Sequence, residues 1–231
     1  MDKFTPGTKA PYVQKMFDGI AHRYDLMNAV MTFGQHQQMR RIAARLAQPP
    51  RNGLALDLAT GTGDFAAALR EVEPSVRVVG VDFAVEMMRR GQEKYPAMDF
   101  VAGDMLRLPV PASTFDCSVN GFVLRNVADV KIAFAEMYRV LKPGGRAVSL
   151  EITTPRTPIW KDVFGIYFDH AMPHIGGFLS GKPDAYKYLP ASVRAFYKPE
   201  QVCELMRAVG FRDVSFRWLM LGTMALYFGV K

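Results

Sequence analysis

Four aspartates and two glycines carry the most legible chemistry in this chain. The turn Asp57-Leu58-Ala59-Thr60-Gly61-Thr62-Gly63-Asp64 closes a short apolar run, Leu54–Leu58. Glycines there let the backbone approach a ligand, and the helix that follows presents free amides. Gly61-Thr62-Gly63-Asp64-Phe65-Ala66 fits the G-x-G-x-x-A fingerprint of a dinucleotide turn, and Asp82 stands 21 residues after Gly61, where a ribose-binding acid belongs. Glycine spacing alone therefore leaves a nicotinamide or flavin dinucleotide open. The charges point elsewhere. A pyrophosphate over this turn would meet Asp57 and Asp64, and two carboxylates within ~6 Å of it would each cost on the order of a few kcal/mol at an effective dielectric of about 20. S-adenosylmethionine carries an ammonium and a sulfonium and no phosphate, so the same acids favour it. Asp82 can accept both ribose hydroxyls. Asp104 follows the next strand and can accept from an adenine amino group while Met105 packs on the ring. Helix capping is the competing explanation for Asp64, but it does not account for Asp82 and Asp104 at equivalent strand ends.

These residues must be positioned by an alternating frame. Apolar runs at 54–58, 77–82, 99–103, 115–120 and 147–152 read as strands, with helical periodicity at 65–72, 84–92 and 130–141 between most of them. Near-continuous apolar strands imply a parallel sheet covered on both faces, and right-handed crossovers make it doubly wound. Runs at 214–219 and 224–230, joined by a turn containing Gly222, add an antiparallel hairpin at the C-terminus, after a helix beginning near 199. The expected fold class is α/β, a Rossmann-like, mostly parallel sheet of seven strands in a single domain. Residues 10–48 form a helical lid over a cofactor-binding core at 53–153, set apart by the breaker Gln48-Pro49-Pro50-Arg51-Asn52-Gly53. Residues 154–198, rich in Pro, Gly and aromatics, are too long for a simple connection and read as a substrate-binding insertion.

Composition narrows the class. The chain has 231 residues, 49% hydrophobic and 22% charged, which excludes disorder, collagen and coiled coil. Two cysteines, Cys117 and Cys203, exclude a disulfide framework or a four-thiolate metal site and suit a reducing compartment. The N-terminus lacks the pattern of a signal or transit peptide, and the longest uncharged apolar run, Trp218–Val230, is too short to cross a bilayer. A cytoplasmic protein is expected. The net charge of +7 favours anionic surroundings, but the bases are scattered and no aromatic–basic strand motif is present, so nucleic acid is not an expected partner.

Beyond the cofactor turn, the chain resembles the class I methyltransferases, and within them the C-methyltransferases of menaquinone and ubiquinone biosynthesis. The resemblance runs through most of the chain. It rests on Phe17-Asp18-Gly19-Ile20-Ala21-His22-Arg23-Tyr24-Asp25-Leu26-Met27-Asn28, on Asp57–Asp64, on Leu124-Arg125-Asn126-Val127, on Tyr138–Arg146, and on Tyr186–Pro190 and Gly222–Leu226. The Leu-Lys-Pro-Gly-Gly turn is common to many methyltransferases; the Arg-Tyr-Asp-Leu-Met-Asn and Leu-Arg-Asn-Val pair is specific. The resemblance implies cofactor contacts at Thr62, Asp82, Asp104 and Met105 and another near Asn120 or Gly121, where many relatives carry Ser in place of Gly121. Gly61, Gly63, Asp57, Phe83 and Tyr24 complete the expected cofactor site. It further implies a polyprenyl quinol substrate, C-methylated on its ring. An O- or N-methyltransferase of another small aromatic is the alternative within the same fold.

Such a reaction needs no metal, because the sulfonium is already an activated electrophile. It needs the nucleophilic carbon held in line, and a base or cation that favours the phenolate. Arg125 is the expected electrostatic group, unless it merely pairs with Asp129 at i+4; Asn126 would orient a quinol oxygen. Tyr24 and Asn28 share a helix face, close to the lid or within the core. His170, beside Asp169, is the candidate base. His170 and His174 have metal-ligand spacing, but Pro173 intervenes and no H-E-x-x-H follows, so no metal is expected. Tyr186 and Tyr188 alternate as extended residues would and could line the ring pocket. Fourteen methionines and sixteen phenylalanines suit an adaptable apolar groove. With the positive charge, they suggest weak peripheral contact with the inner face of an anionic membrane. A homo-oligomer is compatible with this reading.

Overall fold

The strands sort themselves by what they must bury. In a computed structural model, which describes residues 6–172, 174–176 and 183–231, they are β1 (Leu54–Leu58), β2 (Arg77–Asp82), β3 (Asp99–Ala102), β4 (Phe115–Gly121), β5 (Leu141–Ile152), β6 (Arg212–Leu219) and β7 (Met224–Val230). They form one sheet in the order β3-β2-β1-β4-β5-β7-β6. The first five are mutually parallel; β7 runs antiparallel between β5 and β6. Successive side chains of β1 enter opposite cores: Ala55 joins one apolar cluster, Leu56 and Leu58 the other. In β5, Ala147 and Val148 divide the same way. Both faces are therefore apolar, and each leucine so buried contributes about 1.5–3 kcal/mol.

Helices cover the two faces. On one side α3 (His36–Ala47) and α4 (Asp64–Val72) bury Ala43, Ala44, Ala66 and Leu69. On the other, α6 (Val130–Val140) and a C-terminal helix (Pro199–Val209) bury Phe134, Met137 and Met206. Asp129 caps α6 by accepting from the Ile132 amide at 3.0 Å. The remaining helices are α1 (Pro6–Ile20), α2 (Tyr24–Met31), α5 (Val85–Lys94), α7 (Pro158–Ile166) and α8 (Pro183–Ala195), which makes the C-terminal helix α9.

Two readings of local structure change. The Tyr186–Tyr188 stretch is helical, within α8, and not extended: Pro183 occupies its first turn, where a missing amide costs nothing. The side chain of Tyr186 and the whole of Pro173 lie outside the described residues. Strand β5 begins at Leu141, not Ala147. Leu141 already pairs with Phe115, and the Pro143-Gly144-Gly145 turn is absorbed as an irregularity before pairing resumes at Cys117 and Arg146.

The order reverses between β1 and β4, which opens a crevice at their C-terminal ends. Helix α1 lies across that end. Lys9 Nζ donates to the carbonyls of Arg125 and Val127 at 3.1 and 2.9 Å, and Gln14 Nε2 donates to the Phe83 carbonyl at 2.7 Å. Asp18 Oδ1 accepts from the Glu86 amide at 3.1 Å.

Candidate active site

The turn after β1 is built to leave its backbone exposed to a ligand. Ala59, Gly61 and Gly63 all have positive φ, of 52°, 56° and 82°. At Ala59 this is a strained conformation for a residue with a Cβ, and strain of that kind collects at binding sites. Asp57 holds the turn from below: its Oδ2 accepts from Thr60 Oγ1 at 2.6 Å and from the Ala66 amide at 3.0 Å. Burial pushes its carboxyl up to about 7. Asp82, at the end of β2, ties the turn from the side, with Oδ2 accepting from the Gly61 amide and Oδ1 from the Ala84 amide, both at 2.8 Å. Burial raises this carboxyl to about 6. The amides of Gly61, Phe83 and Ala84 pull against that rise by favouring the carboxylate.

Asp64 differs from expectation. Its Oδ1 takes Lys94 Nζ at 2.5 Å and Tyr95 Oη at 3.2 Å; its Oδ2 takes Gln37 Nε2 at 3.2 Å and lies 3.4 Å from Arg40 Nη1. Burial works to raise the carboxyl, but Arg40 and Lys94 outweigh it and hold it below the ordinary carboxylate value. Lys94 also pairs with Asp25 at 2.6 Å, and Thr62 Oγ1 donates to Asp25 at 2.9 Å. Asp57 and Asp64 are thus committed to the protein. Both still line the recess at the glycine turn, so their charges face it already partly compensated by these partners.

Three adjoining recesses follow the C-terminal ends of the strands. One is lined by Asp57, Gly61, Thr62 and Arg40, a second by Asp82, Phe83, Ala84 and Gly121, and a third by Asp104, Met105, Gly103 and Asn126. Asp104 is exposed, with Oδ1 accepting from the Leu106 amide at 2.8 Å, while Met105 is buried. This sequence of a polar glycine turn, an acid at β2 and an acid with a sulfur side chain after β3 fits an amino-acid portion, a ribose and a purine in turn.

Beside them lies a cleft, partly open to solvent. Its walls are mostly apolar, including Met16, Met27, Met31, Phe122, Ile152 and Leu189, and it also meets Asn28, Arg125 and Tyr188. Tyr24 faces this cavity and two of the three recesses, so it stands at their junction. Burial raises both Tyr24 and Tyr188 above the ordinary tyrosine value, which keeps them as neutral phenols.

The profile of the ubiE/COQ5 methyltransferase family matches residues 6–231. This chain belongs to that family. It is 43% identical over 228 residues to the demethylmenaquinone methyltransferase of Roseiflexus castenholzii, covering 98% of this chain and 96% of that one. To the ubiquinone/menaquinone biosynthesis C-methyltransferase UbiE of Desulfotalea psychrophila it is 42% identical, covering 97% and 92%. The crystal structure of an S-adenosylmethionine-dependent methyltransferase from Thermotoga maritima superposes with a TM-score of 0.66 at 17% identity, over 94% of this chain and 98% of that chain, a likeness of fold. The family member described here is an S-adenosylmethionine-dependent methyltransferase of the class I fold.

Of the expected cofactor residues of this methyltransferase, Tyr24, Asp57, Gly61, Thr62, Asp82, Phe83, Asp104, Met105 and Gly121 come together along the recesses. Gly63 shapes the turn without lining them. Asn120 does not face the cleft. Strand alternation turns it to the opposite face, where its Nδ2 donates to Ser149 Oγ at 2.8 Å and to Met137 Sδ at 3.3 Å. Of the two, it is Gly121 that lines the recesses, and a Cβ there would stand 2.8 Å from the Phe65 ring.

Arg125 and Asn126 reach the cavity region; His170 does not. His170 is exposed on the π-helical segment Tyr167–Ala171 and lines none of these spaces, and its neighbour Asp169 pairs with Arg194 instead. Arg125 does not pair with Asp129, which is occupied as the cap of α6. Its Nη1 donates to Glu151 Oε1 and to the Phe122 carbonyl, both at 2.6 Å, and Glu151 is fully buried at the end of β5. Asn126 Nδ2 donates to the Phe122 carbonyl at 3.1 Å, and its Oδ1 accepts from Tyr188 Oη at 3.2 Å.

Sequence reasoning missed Arg40, Lys94 and Glu151. A signal existed for two of them. Arg40 sits on the buried stripe of α3 with His36, Ala43, Ala44 and Ala47, and Glu151 is the one charged residue of the run 147–152 in β5.

Proposed function

We propose that this methyltransferase acts on a ring carbon of a polyprenylated quinol: demethylmenaquinol, methoxy-polyprenyl-benzoquinol, or both. The observation that carries the reading is the apolar cavity with one buried cation, Arg125, adjoining the cofactor recesses at Tyr24. A greasy ring with a long tail suits the methionine-rich walls, which adapt to irregular shapes. The names of the 43% and 42% identical relatives point to the same substrate class. S-adenosylmethionine supplies a sulfonium-activated methyl group when bound. Asp82 would hold its ribose hydroxyls, and Asp104 and Met105 its purine.

The chain's own residues do the rest. Arg125 lowers the cost of a phenolate on the quinol, which draws electron density onto the neighbouring ring carbon. Asn126, fixed between Phe122 and Tyr188, orients a quinol oxygen. Tyr24 closes the junction and excludes water from the line between ring and methyl donor. Incubation with S-adenosylmethionine and demethylmenaquinol, followed by mass spectrometry, should give a product heavier by one methylene. Methylation of a catechol with no reaction of the quinol would assign the chain to the O-methyltransferases instead.

The same reading includes peripheral contact with an anionic membrane, where such substrates reside. Among the described residues no helix is long and apolar enough to cross a membrane. Support comes from α7, in which no residue is buried and Ile159 and Ile166 are 81% and 66% exposed. Exposed Lys161 lies on the same helix. Sedimentation with anionic liposomes should be weak but measurable at low salt and reduced at high salt; partitioning that ignores salt argues against it.

A further inference from the structure

We propose that Arg40 is the anion-binding residue of the cofactor site and takes the α-carboxylate of S-adenosylmethionine. The proposal rests on that cofactor being the ligand. Arg40 stands on α3, and its side chain is 5% exposed. It lines the recess formed by Gly61, Thr62 and Asp57. Its Nη1 lies 3.4 Å from Asp64 Oδ2 yet makes no hydrogen bond. A buried guanidinium N–H without an acceptor is costly, and proteins rarely keep one unless something else completes it.

The neighbouring acids do not supply that acceptor. Asp64 is engaged by Lys94, Tyr95 and Gln37. Asp57 accepts from Thr60 and Ala66, and burial raises its carboxyl to about 7, so near neutral pH it is a weak counter-charge. The Phe122 ring, 6.0 Å from the guanidinium carbon, further confines the group. The ligand's carboxylate is its only anion, and with Asp82 at the ribose end the amino-acid end falls in the recess that Arg40 lines. A planar guanidinium binds a carboxylate through directed N–H donors, which a point charge cannot match.

The test compares two ligands that differ only in the carboxylate: S-adenosylmethionine and decarboxylated S-adenosylmethionine, titrated calorimetrically into the intact protein. The wild type should bind the first about 10- to 100-fold more tightly, as a charged hydrogen bond requires. R40M should lose that preference by weakening S-adenosylmethionine alone, leaving the decarboxylated ligand within about twofold. If R40M weakens both ligands equally, Arg40 only packs and the proposal is overturned. Equal wild-type affinity for the two overturns it as well, and a wild type that binds neither overturns the cofactor assignment with it. Should R40M fail to fold, R40K is read on the same pair: a reduced preference supports the proposal and an unchanged one rejects it.

Discussion

Arg125→Met should lower the methyl-transfer rate by a factor of about 10²–10³, the usual loss when one preorganised charge-stabilising donor is removed, with little change in S-adenosylmethionine affinity. The argument starts from the ionisation that the substrate must undergo. A quinol hydroxyl with a pKa near ~10 is almost wholly protonated at neutral pH, and its ring is then a poor nucleophile. Arg125 stands in an apolar cavity with its charge partly balanced by Glu151, and its Nε is buried with no partner among the described residues, so an N–H donor remains to be used. Its Nη1 is held by Glu151 and by the Phe122 carbonyl, so the group is oriented before substrate arrives.

That arrangement makes a single substitution ambiguous. Removing Arg125 leaves Glu151 buried without a counter-charge, and breaking such a pair costs about 3–5 kcal/mol of stability. A slow enzyme could then simply be an unfolded one. The double variant R125M/E151Q separates the two effects, because it removes both charges. It should regain much of the stability in a thermal or denaturant melt while the rate stays low. Recovery of the rate in the double variant would show that Arg125 serves only to neutralise Glu151. R125K should fall between, since a lysine keeps the charge but has no counterpart of the unpartnered Nε–H or of the planar guanidinium.

How much of this could be read from the chain depended on the range of the interaction. The strand–helix alternation is local, and so are the glycine turn and the acids at the strand ends; each rests on a few consecutive residues. Partners across the fold are not local. Arg125 was weighed against Asp129, four residues away, because helical spacing is the only distance a sequence displays; the true partner, Glu151, is 26 residues on and reaches Arg125 because β4 and β5 are neighbours. Asp64 looked like an open anion because Arg40 and Lys94 lie on different helices, one before the sheet and one after β2. Asn120 and Gly121 fell on opposite faces for the simplest of reasons: a strand alternates, and a one-residue uncertainty in an expected contact is a choice between cleft and core. The charge argument reached the right cofactor with only part of its support intact. Asp57 and Asp64 are hydrogen-bonded by Thr60, Ala66, Gln37, Lys94 and Tyr95, whereas Asp82 and Asp104 line the recesses with backbone amides as their hydrogen-bond donors.

For that reason Asp82 should govern the pH dependence of cofactor binding. In the ligand-free protein burial raises its carboxyl to about 6. Ribose hydroxyls donate to the ionised form, so bound ligand favours the carboxylate and pulls this value down. Below about 6 the free protein must give up a proton to bind. S-adenosylhomocysteine affinity should then weaken as pH falls, by up to about tenfold per unit, and level off above about 6. Burial pushes Asp57 up to about 7, and it accepts from Thr60 in the turn and from Ala66 in α4, so its influence is distinguishable by where the inflection lies. Asp82→Asn should remove the inflection near 6 and weaken binding by about 10²-fold or more, since two hydroxyls lose a charged acceptor. The amide can still accept from Gly61 or Ala84 through its one oxygen, but not from both as the carboxylate does, so some loosening of the glycine turn is expected with it. If the inflection near 6 persists in the asparagine variant, the titrating group is another one and the ribose lies elsewhere than over β2.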